Sequence, residues 1–223
     1  MCARKAKPAG LFIGVAGNIG VGKSSLTEIL SRHFGWRAHF EVVDHNPYLP
    51  DFYSDMRRWS FHLQIFFLSN RFRHHREIAQ GLDAAVVDRT IYEDAEIFAR
   101  NLFEMGLMSE RDYWSYRQLY RTMIEFLRPP DLLIYLRASV GTLVDQIRRR
   151  GRPYEANISI EYLDRLNRLY EEWIGGYKLG PKLVLDTDEL DFVHNLEHRH
   201  QILQTIERHL FGLFPIKEVP RRS

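Results

Sequence analysis

Eight consecutive residues, Gly17-Asn18-Ile19-Gly20-Val21-Gly22-Lys23-Ser24, follow the pattern G-x-x-x-x-G-K-[ST]. Glycines so placed let the backbone curl until several N–H groups face one anion, and a helix starting there adds the positive end of its dipole. Lys23 supplies a compact charge for phosphate oxygens and Ser24 a hydroxyl for a magnesium ion. That chemistry is the binding of a nucleoside triphosphate. A carboxylate should stand near such a loop to share the metal, and the apolar run at residues 84–87 ends in Asp88, followed at once by Arg89. A turn or cap aspartate would read the same way. Late in the chain Arg148, Arg149, Arg150 and Arg152 flank Gly151. They suit a mobile lid whose guanidiniums neutralise a transferring phosphoryl group, and equally an exposed helix end that complements the helix dipole.

A phosphate loop works only between a strand and a helix. Residues 11–16, LFIGVA, are a short apolar run that predicts a buried parallel strand, and residues 24–34 carry Leu26, Ile29, Leu30 and Phe34 at helical spacing. Further buried strands are expected at 39–43, 84–87, 132–136 and 182–185. Helices are expected between them at about 52–80, 92–105, 111–127, 140–149, 160–177 and 195–210. Strands alternating with helices predict an α/β protein with a five-stranded parallel sheet. Nothing in the middle of the chain reads as a linker, so the expected organisation is one domain at 11–212 between a mobile tail at 1–10 and a second tail at 213–223.

Composition narrows the partners. The 223 residues are 45% hydrophobic and 27% charged, and 31 basic against 29 acidic residues leave a net charge of +2. That balance points to no nucleic-acid or membrane surface. The single cysteine is Cys2, so neither a disulfide framework nor a thiolate metal site can be built, and a reducing cytoplasm is the expected location. No stretch approaches the roughly 18 apolar residues of a membrane span.

The phosphate loop does not say who receives the phosphate, because GTPases, ATPases and small-molecule kinases share it. The guanine-reading sequence Asn-Lys-x-Asp is absent. Six ordered blocks then decide the matter: GNIGVGKSS at 17–25, Glu41 after the second strand, RWSFHLQ at 58–64 leading to Arg71, DRTIYED at 88–94, RGRPYE at 150–155, and LDTDELDF at 185–192. With these the chain resembles the deoxyribonucleoside kinase family over about residues 11–210, and the segment NPYLPDFY at 46–53 resembles its bacterial purine members. The resemblance implies a P-loop kinase fold with a helical lid. It also implies ATP and Mg²⁺, a deoxyribonucleoside acceptor phosphorylated at its 5′-hydroxyl, a preference for deoxyadenosine or deoxyguanosine with deoxycytidine as a slower substrate, and a homodimer.

Site roles follow by position. The resemblance implies Glu41 as the base that takes the 5′-hydroxyl proton, with Arg89 as its cationic neighbour and Lys23 on the phosphate. Donor contacts fall to Gly17, Asn18, Ile19, Gly20, Val21, Gly22, Lys23, Ser24 and Ser25, to Arg148, Arg150 and Arg152, and to Asp188. Ser24 and Asp88 would hold the metal. Tyr53 and Glu155 would hold the sugar 3′-hydroxyl, Gln64, Arg71 and Asp94 would read the base, and Phe67 and Phe98 would wall it. Thr90 replaces the usual serine and Gln146 the first lid arginine of many relatives.

Helical geometry supports part of this independently. At 100° per residue Gln64 and Arg71 lie about 20° apart, and Tyr53 joins them if the helix is continuous. Such a stripe could also be a solvent face. Arg73, His74, His75 and Arg76 are expected to form a solvated basic face. Two rival functions remain at this level: a nucleoside monophosphate kinase, which would need further arginines at its acceptor, and a non-catalytic nucleotide sensor, for which Glu41, Asp88 and Arg89 have no use.

Overall fold

A computed structural model describes residues 10–40, 46–152, 155 and 158–212. Its contacts fall into two compact units, one ending at Asp188 and one beginning at Glu189.

The first unit is a five-stranded sheet of order β2-β3-β1-β4-β5, with every pair parallel. The strands are β1 (Phe12–Gly17), β2 (Arg37–His39), β3 (Ala85–Asp88), β4 (Leu132–Arg137) and β5 (Lys182–Asp186). All of β1 and β3 is buried, as expected of strands covered on both faces. Register sets Asp88 beside Val15, two residues before the glycine that opens the phosphate loop. After β1 the chain crosses to one side of the sheet and after β3 to the other, which leaves a crevice at the carboxyl ends of β1 and β3.

Strand β2 occupies 37–39 rather than the expected 39–43. It is an edge strand held by backbone pairing to Ala85, Val86 and Val87, and its side chains are half-buried or exposed, so it carries no apolar signal. Residues 41–43 of the expected strand lie outside the described residues.

Eight helices surround this sheet among the described residues: α1 (Lys23–Phe34), α2 (Leu49–Ser54), α3 (Met56–Gln80), α4 (Ile91–Glu93), α5 (Arg100–Glu104), α6 (Glu110–Ile124), α7 (Val140–Arg150) and α8 (Ile160–Gly176). The later long ones start on a side chain that satisfies an orphan amide: Ser109 for α6, Ser139 for α7 and Ser159 for α8. The expected continuous helix at 52–80 is two helices. Asp55 adopts φ −147° and ψ 83° and its carboxylate caps the N–H of Arg58, ending α2 and restarting the chain as α3. The expected helix at 92–105 is likewise composite, with a π-helical stretch at Asp94–Ala99 between α4 and α5. Extra backbone in such a turn re-aims side chains and recurs at functional sites.

Two large apolar clusters hold these elements together, the first among helices and the second against the sheet. One joins Leu63 and Leu68 of α3 to Ile91, Ala95, Leu102 and Tyr116; the other joins Leu133 and Tyr135 of β4 to Ile97, Leu166 and Tyr170. His75 corrects the expected basic face. Arg73 and Arg76 are not buried, but His75 is 1% exposed, edge-on to Phe12 at 5.1 Å and accepting the N–H of Ile91 at 3.4 Å. Burial, with the charge of Arg71 nearby, pushes its pKa down to about 3, so the ring is neutral.

In the second unit, α9 (Leu196–Phe211) starts on Asn195, whose side chain accepts from the N–H groups of Glu197 and His198. Arg199 reaches back to the carbonyl of Phe192 at 3.0 Å. Among the described residues no helix is long and apolar enough to cross a membrane.

Candidate active site

The phosphate loop is where residue type and backbone are most tightly linked. Gly17 has φ +147°, and a Cβ there would stand 2.7 Å from the carbonyl oxygen of Leu136 on β4, which cannot move aside. Gly22, at φ 95° and ψ 18°, is the left-handed N-cap of α1, and it directs the first amides of that helix into the loop. Lys23 folds over the loop and donates to the carbonyl of Asn18 at 2.8 Å. Asn18 does a different task from its neighbours. Its amide accepts from Ile19 N–H and donates to Leu163 and Asn167 of α8, so the side chain anchors the loop and the backbone is what remains to meet a ligand.

Asp88 closes the site from β3. One carboxylate oxygen accepts the hydroxyl of Ser24, while the other is buried with no hydrogen-bond partner among the described residues. A buried carboxylate oxygen left open beside a hydroxyl is a donor set that suits a hard divalent cation. No cluster of three or more His, Cys, Asp or Glu able to hold a metal occurs among the described residues, so such an ion would draw most of its shell from phosphate and water.

Arg89 follows at φ +72°, the one non-glycine residue with positive φ among those described, and its guanidinium lies 4.1 Å over the ring of Phe98. Strain of this kind persists only where the surroundings impose it. Here Arg71 does so from beneath: one nitrogen donates to the carbonyls of Asp88 (3.3 Å) and Arg89 (3.1 Å), and Nε donates to Asp94 at 2.7 Å. Both side chains of the Arg71–Asp94 pair are nearly sealed from solvent, at 5% and 3%.

Lys23, Asp88, Arg89 and Asp94 border one cavity of about 310 Å³. Ile19, Gly20, Lys23, Ser24, Asp88 and Arg89 line it from the loop and the strand end; Tyr53, Gln64, Phe67, Asp94 and Phe98 line it from α2, α3 and the π-helical stretch. Gln64 is 3% exposed and its carbonyl oxygen has no partner among the described residues, an acceptor waiting for a donor. The break at Asp55 does not remove Tyr53 from the group, because α2 packs along α3. Glu155 also borders the cavity. It is gripped by Arg150 through bonds of 2.7 to 3.1 Å and approached by Arg152 at 3.6 Å, so two arginines expected on phosphate sit on this carboxylate instead.

Several expected residues lie elsewhere. Gly17, Asn18, Val21 and Gly22 belong to the loop and Ser25 to α1 without bordering the cavity, and Arg71 stands behind Asp94. Arg148 is exposed on α7, and Asp188 accepts the N–H of Ser139 at 2.8 Å. Glu41 lies outside the described residues. Leu49, Leu63, Phe40 and Tyr162 also line the cavity, although no site role is expected of them from the sequence; burial pushes the Tyr162 hydroxyl up to about 12, so it stays protonated. Glu93 was also missed. It is fully buried, and its carboxylate accepts from Thr90 N–H (2.7 Å), Thr90 Oγ1 (3.1 Å), Gly17 N–H (3.3 Å) and Tyr170 OH (2.9 Å). The spacing Thr90-x-x-Glu93 is the sequence signal that could have found it. Burial raises its pKa, and the charges of Arg89, Lys23 and Arg71 with the Thr90 amide oppose that rise.

Known proteins agree with the geometry. Residues 13–211 match the family described as deoxynucleoside kinase. The deoxyadenosine/deoxycytidine kinase of Bacillus subtilis is 40% identical over 89% of this chain and 93% of its own, and a deoxyguanosine kinase of Lactobacillus acidophilus is 39% identical over 87% and 88%. The solved structure of the M. mycoides deoxyadenosine kinase with bound dATP superposes with a TM-score of 0.77, at 31% identity over 88% of this chain and 98% of the other.

Proposed function

The chain belongs to the deoxynucleoside kinase family, and from that premise we propose that it transfers the γ-phosphoryl group of ATP to the 5′-hydroxyl of a purine deoxynucleoside, with deoxycytidine as a slower acceptor. The observation that supports this reading is a cavity bordered both by the phosphate loop and by a polar and aromatic wall of nucleoside size. The relatives named for deoxyadenosine, deoxycytidine and deoxyguanosine point to the same acceptors.

In the proposed reaction the loop amides and Lys23 hold the donor phosphates, and Arg89 stabilises charge that develops on the transferring group. Ser24 and the open oxygen of Asp88 would hold Mg²⁺, which when bound offsets phosphate charge. Glu41, by the family resemblance, takes the 5′-hydroxyl proton as transfer proceeds. Phe67 and Phe98 sandwich the base, while Gln64 and Asp94 offer hydrogen bonds to its edge. The Arg71–Asp94 pair leaves that edge polar and narrow, which disfavours the methyl group of thymine. Tyr53 and Glu155 hold the sugar 3′-hydroxyl. For Arg150 and Arg152 to reach phosphate they must leave Glu155, so lid rearrangement accompanies binding. The homodimer expected from the resemblance belongs to the same proposal and is read by light scattering.

The test is phosphoryl transfer from ATP and Mg²⁺ to each of the four deoxynucleosides and to deoxyadenosine and thymidine monophosphates. A purine deoxynucleoside should give the highest kcat/KM. Transfer to a monophosphate with none to any nucleoside would overturn the acceptor assignment; thymidine above both purines would overturn the base preference alone.

A further inference from the structure

The last ladder bond between β1 and β3 at the site runs from Arg89 N–H to the carbonyl of Val15, at 2.9 Å. Beyond it the two chains part, one becoming the phosphate loop at Gly17 and the other the turn that carries Arg89 into α4. One side chain spans the gap. Glu93 takes Gly17 N–H on Oε1 and both donors of Thr90 on Oε2, so it continues by side chain the connection the backbone has just lost.

An ordinary capping box needs only the Thr90 bonds. The two further donors, Gly17 N–H and Tyr170 OH, fill the remaining lone-pair positions of an ionised carboxylate, which has about four and no proton to give. Tyr170 belongs to α8, the helix that follows the lid segment, and Asn18 of the loop is bonded to the same helix. Glu93 therefore meets the donor loop, the Arg89 turn and α8 at one buried point, with Arg89 and Lys23 as its nearby cations.

We propose that Glu93 is a positioning residue for phosphoryl transfer, its carboxylate fixing the separation between the opening of the phosphate loop and the strained Arg89 turn and tying both to α8. It does not border the cavity, so it acts through Gly17, Arg89 and Lys23. Catalysis of this type depends on alignment, and a displacement of about 1 Å can cost on the order of 10²-fold in rate. The inference rests on the kinase reading above, and an inactive unmodified protein would sink that reading rather than this one.

The experiment is steady-state kinetics and nucleoside binding by calorimetry for Glu93→Gln and Tyr170→Phe. Glutamine keeps the shape but turns an N–H₂ toward one pair of donors. For Glu93→Gln, kcat should fall by about 10²-fold while the KM and Kd for the deoxynucleoside stay within about threefold, because no nucleoside contact is removed. Glu93→Asp, which restores the charge, should recover part of kcat. A kcat within about threefold of wild type, or a fall matched by an equal loss of nucleoside binding, would overturn the proposal. If Glu93→Gln does not fold, Tyr170→Phe, which removes a single bond, decides the question. A loss of about tenfold or more in kcat at unchanged nucleoside KM, the scale of one hydrogen bond to a charged group, supports the proposal, and an unchanged kcat overturns it.

Discussion

Replacing Asp94 by alanine should destabilise this protein, and the same replacement in an Arg71→Met background should stabilise it. The two side chains are 5% and 3% exposed and joined at 2.7 Å, so taking the carboxylate away leaves a guanidinium charge in a dry site without its anion. Breaking a buried pair in this way costs about 3 to 5 kcal/mol, a large share of the roughly 5 to 15 kcal/mol that holds a domain together. Arg71→Met strands the carboxylate of Asp94 instead and also takes the donor from the carbonyls of Asp88 and Arg89, at about 1 to 3 kcal/mol each. That carbonyl cost is present in Arg71→Met and in the double variant alike, so it cancels in a double-mutant cycle. What remains is the charge left behind, which the second substitution removes. Stability is read by urea unfolding with two probes, and if Arg71→Met alone does not fold, the reversal appears as recovery of folded protein in the double variant. An Asp94→Ala effect equal on both backgrounds to within about 0.5 kcal/mol would refute the coupling.

Lys23→Ala should nearly abolish transfer from ATP while calorimetric binding of the deoxynucleoside survives, because the ammonium acts on phosphate charge; wild-type turnover would remove the phosphate loop from the mechanism. Glu41→Gln should lower kcat by about 10² to 10⁴ with a much smaller change in acceptor KM, and a variant that keeps most of its kcat would shift the search for the base to Asp88. His75 titrates at about 3 in the folded chain against an ordinary value of 6.5, so the unfolded chain binds the extra proton. Stability should therefore fall as pH drops from about 6.5 toward 3, by up to about 1.4 kcal/mol per unit from this residue, and His75→Gln should flatten that slope in urea titrations; parallel slopes would refute it.

The sequence by itself determined the sheet, the phosphate loop and most of the residues around the cavity. Those features rest on local rules: buried parallel strands such as residues 12–17 and 132–136 are continuous apolar runs, and a loop of three glycines, a lysine and a serine has one efficient use. Even the family can be read this way, since DRTIYED and RGRPYE keep their order and spacing. Tertiary structure decided what depends on pairing across distance. Strand β2 at 37–39 is specified by hydrogen bonds to β3 rather than by its own side chains, so no periodicity announces it. The break at Asp55 is a cap, and caps compete locally with a helix that could otherwise run on. His75 stands among arginines in sequence but turns inward on α3, because a helix presents neighbouring residues to different sides. Arg71 shares the face of Gln64 as the spacing predicts, yet only the fold shows it beneath the cavity on Asp94 and two carbonyls, and only the fold brings Gly17 and Tyr170 to Glu93. Bonds between residues 76 and 77 positions apart leave no mark on local spacing, since their geometry exists only once the sheet has closed around them.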